Sequence, residues 1–313
     1  MKRVLITTVA AALAACSAFG EWAYAGGWGS SGTGNGQFDY PLGVAVAPGG
    51  RVYVADFWNH RIQYFTAGGS FLGKWGSYGA GAGQFKLPDV AVAPAGGYVY
   101  VADSNNHRVQ YFTAAGSYLG QWGEWGTEAG KFRFPRAVAA ARAGGYVYVG
   151  DDSNERVQYF TAVGSYLGSW ESRGYSVAVA PAGNVYVADK TNDRVQYWTA
   201  TGSYFGEWGT RGSGNGQFYY PDDVAVAPGG RVYVADTYNH RVQYFTAGGS
   251  FLGKWGSQGS GNGQFYRPYG VAYAPLSGYV YVADTGNDRI QYFKWVNPAV
   301  APASLGRIRA LFK

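Results

Sequence analysis

Three histidines, His60, His107 and His240, are the residues whose chemistry best suits a metal ion. Each stands between an asparagine and an arginine, at one position of a segment that the chain repeats six times. The other copies place acidic residues there, Glu155, Asp193 and Asp288. Equivalent points of packed sheets lie about 10 Å apart, whereas the ligands of one zinc ion each lie about 2 Å from it. The histidines therefore cannot converge, and we predict surface turns and no metal site.

The other sequence patterns that could indicate catalysis or phosphate binding are weak. Three glycine-rich segments, Gly32–Gly36, Gly212–Gly216 and Gly259–Gly263, invite comparison with phosphate-binding loops. No Lys-Ser or Lys-Thr pair and no helical pattern follows them, so we predict flexible connections. No Ser/His/Asp or Cys/His set stands outside the repeated positions. We therefore predict no catalytic residue and no cofactor.

The repeated segment is Val52–Phe65, which reads Val-Tyr-Val-Ala-Asp-Phe-Trp-Asn-His-Arg-Ile-Gln-Tyr-Phe. Two runs of β-forming residues flank Asp-x-x-Asn, which favours a turn. We expect the aspartate to pair with the arginine across this hairpin. The aspartate recurs at intervals of 47, 48, 38, 47 and 48 residues, as Asp56, Asp103, Asp151, Asp189, Asp236 and Asp284. A regular period of this size is typical of repeat architectures.

Four short strands make up one full unit, and the pattern places them at Gly43–Ala47, Arg51–Ala55, Arg61–Phe65 and Phe71–Trp75. Four strands per period indicate the blades of a β-propeller. The second strand is apolar at nearly every position, so it needs cover on both faces, and two neighbouring blades provide that cover. We predict an all-β fold, a six-bladed β-propeller of four-stranded antiparallel blades.

Tryptophan spacing predicts how the ring closes. In five units a tryptophan follows the aspartate by 19 residues, but the sixth unit has Ala303 there. A spare copy precedes the first unit, because Trp28 stands 28 residues before Asp56, as Trp75 stands before Asp103. We predict that residues near Trp22–Trp28 form the outer strand of the last blade, which leaves no open edge at the seam.

The fourth unit departs from the pattern, which explains the interval of 38 residues. Its first segment, Trp170–Val177, lacks the Gly-x-Gly-x-Gly-Gln-Phe-x-x-Pro connection of the other units. We predict a connection between blades 3 and 4 that is about nine residues shorter and a notch on one face.

Three consecutive runs of each unit together resemble the NHL repeat, over about residues 22–293. They read Gly-Gln-Phe-x-x-Pro-x-Gly-Val-Ala-Val, then Val-Tyr-Val-Ala-Asp-x-x-Asn-His-Arg-Val-Gln-Tyr-Phe, then Gly-Ser-Phe-Leu-Gly-Lys-Trp-Gly. The resemblance implies a propeller and leaves function open. Similar propellers serve as RNA- or protein-binding modules, as extracellular sensor domains of kinases and as a peptide-amidating lyase. The lyases use histidines on a channel metal, and no position here matches that arrangement.

Units 1 and 5 show where the copies diverged. The 44-residue windows Gly34–Ser77 and Gly214–Ser257 differ at six positions, and five of these lie in the second turn and the connection between blades. In a four-stranded meander these two loops fall on the same end of the ring. We predict a ligand-binding surface there, formed by Tyr40, Leu42, Phe57, Trp58, Asp89, Asn105, Arg136, Tyr175, Asp222, Asp223, Tyr238 and Tyr269.

Exposed aromatic rings mixed with a few charges suit the recognition of a protein or a carbohydrate. We therefore expect a non-catalytic binding scaffold. Two alternatives stay open. One is drift in unconstrained loops. The other is an extracytoplasmic lyase or hydrolase that uses Asp89, Asp222 or Asp223 with Arg136 or Tyr269 at the channel mouth.

Residues 1–20 are predicted to be a signal peptide. Two basic residues precede a 12-residue apolar run, Val4–Ala15, which is too short to cross a membrane as a helix. Leu13-Ala14-Ala15-Cys16 resembles the lipobox of bacterial lipoproteins, which implies lipidation of Cys16. Ordinary secretory cleavage after Gly20 is the alternative. Both predict an exported protein, either a lipoprotein of the cell envelope or a secreted one.

Charge bears on the partners. The chain carries a net charge of +6, but two basic residues lie in the signal peptide and four in a C-terminal tail at residues 294–313. The propeller, residues 21–293, is left almost neutral, which argues against nucleic acid as a partner. We expect a monomer that meets a membrane only through a lipid anchor at Cys16.

Overall fold

A computed structural model describes residues 20–94, 97–142 and 145–297. These residues form six four-stranded antiparallel sheets, and they confirm the six-bladed β-propeller. Helical structure in them is limited to short 3₁₀ helices at Ser104–Asn106, Asp152–Asn154, Lys190–Asn192, Thr237–Asn239 and Thr285–Asn287. The predicted signal peptide with Cys16 and the tail beyond residue 297 lie outside the described residues.

Each blade has its strands in chain order from the inner to the outer edge, except that blade 6 takes β1 as its outer strand. The strands are, for blade 1, β2 Pro41–Val46, β3 Val52–Asp56, β4 Arg61–Phe65 and β5 Phe71–Trp75; for blade 2, β6 Pro88–Val92, β7 Val99–Asp103, β8 Arg108–Phe112 and β9 Tyr118–Trp122; for blade 3, β10 Pro135–Ala140, β11 Val147–Asp151, β12 Arg156–Phe160 and β13 Tyr166–Glu171; for blade 4, β14 Ser176–Val179, β15 Val185–Asp189, β16 Arg194–Trp198 and β17 Tyr204–Trp208; for blade 5, β18 Pro221–Val226, β19 Val232–Asp236, β20 Arg241–Phe245 and β21 Phe251–Trp255; and for blade 6, β22 Gly270–Tyr273, β23 Val280–Asp284, β24 Arg289–Val296 and β1 Glu21–Trp28.

The second strand of every blade is buried at all five positions. Side chains of a strand alternate between its two faces, so the Val-Tyr-Val-Ala pattern serves two interfaces. In β3, Val52 and Val54 pack against blade 6, and Tyr53 and Ala55 pack against blade 2. The core therefore lies between the blades, which explains why this strand tolerates no polar face.

The tyrosine of the second strand also fastens neighbouring blades. The hydroxyl of Tyr53 donates to the carbonyl oxygen of Ala114 in blade 2 at 2.8 Å. The same bond joins blade 6 to blade 1, because the hydroxyl of Tyr281 donates to the carbonyl oxygen of Ala67 at 2.9 Å. The last interface thus repeats the first, and the ring is closed.

The seam is completed by the N-terminal strand, as predicted. The indole of Trp28 in β1 packs 5.3 Å from the ring of Phe65 and 6.1 Å from that of Tyr281. Gly69 has a φ of +90° and lies against Trp28, as Gly116 lies against Trp75, and a Cβ at Gly69 would stand 2.5 Å from the indole. Trp28 therefore occupies the position that Ala303 would have to fill.

The Asp-x-x-Asn-x-Arg pattern is structural, as predicted. In blade 1, Asp56 is fully buried and accepts hydrogen bonds from Asn59 at 3.0 Å, from Nε of Arg61 at 2.6 Å and from Gln63 at 3.0 Å. Arg61 also donates to the carbonyl oxygens of three residues in the glycine-rich connection, Thr33, Gly34 and Gln37. One buried carboxylate thus ties the hairpin to the connection between blades.

Blades 3 and 4 are joined by only four residues, 172–175, whereas twelve residues, 209–220, join blades 4 and 5. The structure therefore has the predicted shorter connection. Arg194 of blade 4 has no such connection to bind, and it pairs with Glu207 at 2.7 Å instead. Its side chain is 29% exposed, compared with 8% for Arg61, because no long connection covers this arginine. The notch on one face stays a prediction.

Residues 24–294 make up the propeller unit, and the described residues outside it form a second small unit. In that unit the rings of Trp22 and Trp295 meet edge to face at 5.5 Å. Strand β24 continues to Val296, three residues beyond Phe293, where the repeat pattern ends. No helix in the described part of the chain is long and apolar enough to span a membrane.

Candidate functional site

The second turns and the connections between blades lie at one end of the propeller, which we call the loop end. The ring of Tyr40, from a connection, lies 6.2 Å from Phe57 and 6.4 Å from Trp58, both from a second turn. The backbone N–H of Trp58 also donates to the carbonyl oxygen of Asp39 at 3.1 Å. The two loops that diverged between units 1 and 5 therefore form a single surface.

A cavity of about 250 Å³ opens at the loop end, and all six blades contribute to it. It continues into the channel between the inner strands, because residues such as Asp89 and Asp223 line both. The structure brings together nine of the twelve residues predicted to bind a ligand, which are Tyr40, Leu42, Phe57, Asp89, Arg136, Tyr175, Asp222, Asp223 and Tyr269.

The other three predicted residues lie outside the cavity lining. Trp58 is 51% exposed above it, and Asn105 is exposed on blade 2. Tyr238 packs against Tyr219 and Tyr220, with ring centroids 5.3 and 5.1 Å away. The expectation of exposed side chains is wrong for Phe57 and Asp222. Both are buried, Phe57 in contact with Tyr40 and Trp58, and Asp222 in contact with Lys190.

An arc of aromatic side chains follows the loop end over blades 5, 6 and 1. We call the following set the aromatic arc: Tyr219, Tyr220, Tyr238, Tyr269, Tyr40, Phe57 and Trp58. Tyr269 lies between the two ends of the arc, because its ring is 5.3 Å from that of Tyr40, and both it and Tyr220 lie close to Nζ of Lys190, at 5.4 and 5.9 Å. The aromatic surface therefore extends from the rim into the cavity.

Lys190 is the main cavity residue that the comparison of units 1 and 5 misses. It directly follows the aspartate of blade 4, the position that Phe57 occupies in blade 1. The residues at this position differ in nearly every unit, and they are Phe57, Ser104, Asp152, Lys190, Thr237 and Thr285. A comparison of this position across all six units would have identified Lys190.

The ammonium group of Lys190 lies in a shell of aromatic rings with one carboxylate. Its Nζ lies 2.5 Å from Oδ1 of Asp222, 4.2 Å from the ring centroid of Tyr175 and 5.4 Å from that of Tyr269. Burial by itself lowers the pKa of Lys190, but Asp222 and Tyr175 outweigh it and the pKa is raised. Lys190 is therefore a fixed cation in the wall of the cavity.

Arg136 supplies a second cation, from blade 3. Its guanidinium lies 4.9 Å from the ring centroid of Tyr175, and its Nε lies 3.6 Å from Oδ2 of Asp152, longer than a hydrogen bond. About a third of the Arg136 side chain is exposed. Burial raises the pKa of Asp152 and Arg136 opposes the rise. Arg136 is held loosely enough to meet a ligand.

Two carboxyl groups lie deeper, where the cavity meets the channel. Asp223 accepts hydrogen bonds from the hydroxyl of Ser176 and from the backbone N–H groups of Val224 at 2.9 Å and Val271 at 2.7 Å. Burial raises the pKa of Asp223 to about 7. Burial and the charge of Asp223 raise the pKa of Asp89 to about 8. Asp89 is therefore mostly protonated in neutral solution.

The histidines lie in turns, as predicted, and each joins two blades. Their backbones are left-handed, with φ of 54° or 55°. Nδ1 of each accepts a backbone N–H of the following connection, His60 from Leu87, His107 from Phe134 and His240 from Arg267, at 3.3, 3.2 and 3.0 Å. Burial lowers the pKa of all three. No three His, Cys, Asp or Glu side chains in the described ranges are placed to hold one metal ion.

The opposite end of the channel is far more uniform. Its lining repeats a Val-x-Pro pair in four blades, at Val46 and Pro48, Val92 and Pro94, Val179 and Pro181, and Val226 and Pro228. The corresponding turns are identical in units 1 and 5. Divergence is therefore concentrated at the loop end.

Comparisons with known proteins agree with this architecture. Residues 38–65, 89–112 and 218–245 match the family model described as NHL repeat. No curated protein matches the chain. A structural genomics protein of unknown function from Bacteroides thetaiotaomicron is similar, with 17% identity and a TM-score of 0.67 over 88% of this chain and 76% of that one.

The hydrazine synthase of Kuenenia stuttgartiensis is similar at 12% identity, with a TM-score of 0.58 over 86% of this chain and 99% of that one. At such identities the likeness shows the fold alone. The matched segments and the six sheets together lead to one conclusion: this chain is a six-bladed β-propeller, and three of its segments match the NHL repeat.

Proposed function

We propose that this protein is a non-catalytic binding scaffold that recognises a protein or a glycan through the loop end. The observation that carries the proposal is that a repeated scaffold has a cavity lining that differs from blade to blade. The second strand has a tyrosine at the same buried position of every blade, whereas the position after the aspartate holds five different residue types. Propellers with NHL repeats are commonly interaction scaffolds.

The aromatic arc supports this proposal. Tyrosine and tryptophan offer a large apolar surface with few rotatable bonds, so ordering them on a ligand costs little entropy. Trp58 is the most exposed member of the arc, and it rests on Tyr40 and Phe57, which hold its ring in place. A supported, exposed ring beside a cavity is a suitable anchor for a ligand.

A lyase or hydrolase is the second candidate. It is favoured by Asp89 and Asp223, whose pKa values near neutrality would suit acid–base chemistry. Against it, Asp223 is fixed by three hydrogen bonds and Asp222 is paired with Lys190, so neither is free to act as a nucleophile. We therefore favour binding.

Export and anchoring also belong to the proposal. The apolar run before Cys16 and its lipobox-like end support a lipoprotein of the bacterial cell envelope, with secretion as the alternative. We propose a monomer, since six closed blades leave no open sheet edge at the seam. Labelling with a radioactive fatty acid in a bacterial host tests Cys16, with Cys16→Ser as the control.

The binding proposal is tested with the mature protein on a glycan array and in a pull-down from the producing cells. Replacing Trp58 and Tyr238 together by alanine should abolish capture in whichever format shows binding, with little change in Tm. Leu276→Ala is the matched control, because Leu276 is an exposed apolar residue in a turn of the opposite end. Capture that survives the double variant would refute recognition through the exposed aromatic rim of the loop end.

A further inference from the structure

The charges in the cavity wall are paired with one another. Lys190 pairs with Asp222, and Arg136 with Asp152, so these four side chains carry no net charge. Burial raises the pKa of Asp89 to about 8 and that of Asp223 to about 7, so these two deeper carboxyl groups together carry less than one full negative charge at neutral pH. An ionic ligand would have to compete with Asp222 or Asp152 for a cation, or with Lys190 or Arg136 for a carboxylate, or leave its own charge without a partner. The cavity therefore favours an uncharged ligand.

The polar atoms of the cavity include both hydrogen-bond donors and hydrogen-bond acceptors. Arg136 provides donors from its partly exposed guanidinium, and Asp223 provides acceptor oxygens. The protonated carboxyl of Asp89 both donates and accepts. A ligand that fits must likewise donate and accept at neighbouring positions. Hydroxyl groups on adjacent carbons meet this requirement without carrying charge.

The volume of the cavity and its aromatic walls narrow the class of ligand further. The volume of about 250 Å³ lies below the range of about 300–1,000 Å³ that is usual for drug-sized ligands. It therefore suits one small ring. The rings of Tyr40 and Tyr269, 5.3 Å apart, form an apolar wall against which the C–H face of such a ring can pack.

We propose that the ligand of this propeller is a neutral glycan, with its terminal sugar ring in the cavity and the following rings along the aromatic arc. This inference rests on the binding function proposed above. The arc gives an extended chain a path outwards, because Tyr220 lies 5.9 Å from Nζ of Lys190 and packs on Tyr238 at the rim. A polypeptide could follow the arc, but its terminus would bring a charge into a cavity whose own charges are paired.

The test uses a glycan array carrying neutral, acidic and amino oligosaccharides, followed by calorimetric titration with a soluble hexasaccharide of the glycan that binds best. We expect neutral glycans to bind. Leu42→Trp places a large ring in the cavity from its wall and should raise the Kd by at least about tenfold. Leu276→Trp adds the same ring at the opposite end and should leave the Kd unchanged. Arg136→Gln, which adds no volume, should also weaken binding and serves if Leu42→Trp unfolds.

The outcomes separate this inference from the proposed function. Binding confined to acidic or amino glycans, or binding of neutral glycans that ignores both cavity variants, would overturn the neutral-glycan inference alone. If only a protein is captured, and its capture depends on Trp58 and Tyr238, the neutral-glycan inference is overturned and the proposed binding function stands. Capture that depends on neither the cavity nor the aromatic arc would overturn both proposals.

Discussion

The Nζ atom of Lys190 and the Oδ1 atom of Asp222 lie 2.5 Å apart and join blade 4 to blade 5 in the wall of the cavity. The pair is well shielded, with side chains 16% and 3% exposed. Lys190 belongs to a second turn and Asp222 to the first residues of an inner strand. The pair therefore fixes the position of the turn over the channel mouth, which makes it a structural support for the site.

Lys190→Ala should lower the free energy of unfolding by about 3 kcal/mol, because it leaves the carboxylate of Asp222 buried without its partner. Denaturant unfolding measures the loss. Lys190→Met with Asp222→Leu should recover most of it, since no unpaired charge remains. Arg173→Ala is the control, because its pair with Glu155 at 2.9 Å is exposed and should be worth less than about 1 kcal/mol. Equal losses for Lys190→Ala and Arg173→Ala would contradict the structural role of the pair.

Asp89→Asn should stabilise the protein in alkaline solution. The pKa of Asp89 rises from 3.8 in the unfolded chain to about 8 in the folded one, so the folded protein binds more protons between these values. The free energy of unfolding therefore falls as pH rises through this window, and the asparagine removes that loss. We expect a Tm at least about 5 °C above that of the parent protein at pH 9 and an equal Tm at pH 4. A Tm for the variant at pH 9 that is equal to or below that of the parent protein, with equal Tm values at pH 4, would contradict the raised pKa of Asp89.

The fold could be predicted because most of the buried positions of a blade are repeated. Asp56 and its five equivalents set the period, and Trp28 indicated which strand closes the ring. These residues obey local rules, since turn chemistry and strand alternation act within one unit. The position of Trp28 needed only a count of residues from its neighbouring aspartate.

The site was predictable only in part, because it depends on contacts between units. Lys190 reaches Asp222 in the next blade, and nothing in the spacing of either residue shows that contact. Phe57 belongs to a variable turn, which suggested exposure, but Tyr40 and Trp58 cover it. Such cover depends on how two loops from different parts of the chain pack together, and a pattern within one unit does not contain it.

Replacing His60, His107 and His240 together by aspartate should reduce the loss of folding stability that occurs as the pH falls below about 6.5. Each histidine must be neutral at Nδ1 to accept its backbone N–H, and burial lowers its pKa below the unfolded value of 6.5. The unfolded chain therefore binds more protons as pH falls below about 6.5, and stability falls with it. Aspartate already fills this position in Asp193, which accepts the N–H of Tyr220 at 2.7 Å.

Denaturant midpoints at pH 7.5 and pH 5.5 test this expectation. The parent protein should lose more stability between the two pH values than the triple variant, and both should be similarly stable at pH 7.5. Replacing the histidines by alanine is the control, because it removes the acceptors and should lower stability at both pH values. An unchanged pH dependence in the triple aspartate variant would contradict the role of the histidines.

Trp198 of blade 4 compensates for a missing residue, and a reciprocal exchange tests this. In the other blades a buried connection phenylalanine packs on a third-strand phenylalanine, as Phe218 packs on Phe245 at 5.6 Å. The short connection of blade 4 has no such residue, and the larger Trp198 packs instead on Trp170 at 6.0 Å and on Tyr204 at 4.8 Å. Trp198→Phe should therefore leave unfilled space and lower the free energy of unfolding by about 1–2 kcal/mol.

Phe245→Trp makes the opposite change where Phe218 already fills the space. It should also destabilise, by about 1–3 kcal/mol, because the added ring overpacks a filled site. Denaturant unfolding of both single variants provides the comparison. If Trp198→Phe proves neutral while Phe245→Trp destabilises, blade 4 closes around the smaller ring and Trp198 is not a replacement for the lost phenylalanine. Losses in both variants would mean that the shortened connection and the larger ring depend on each other.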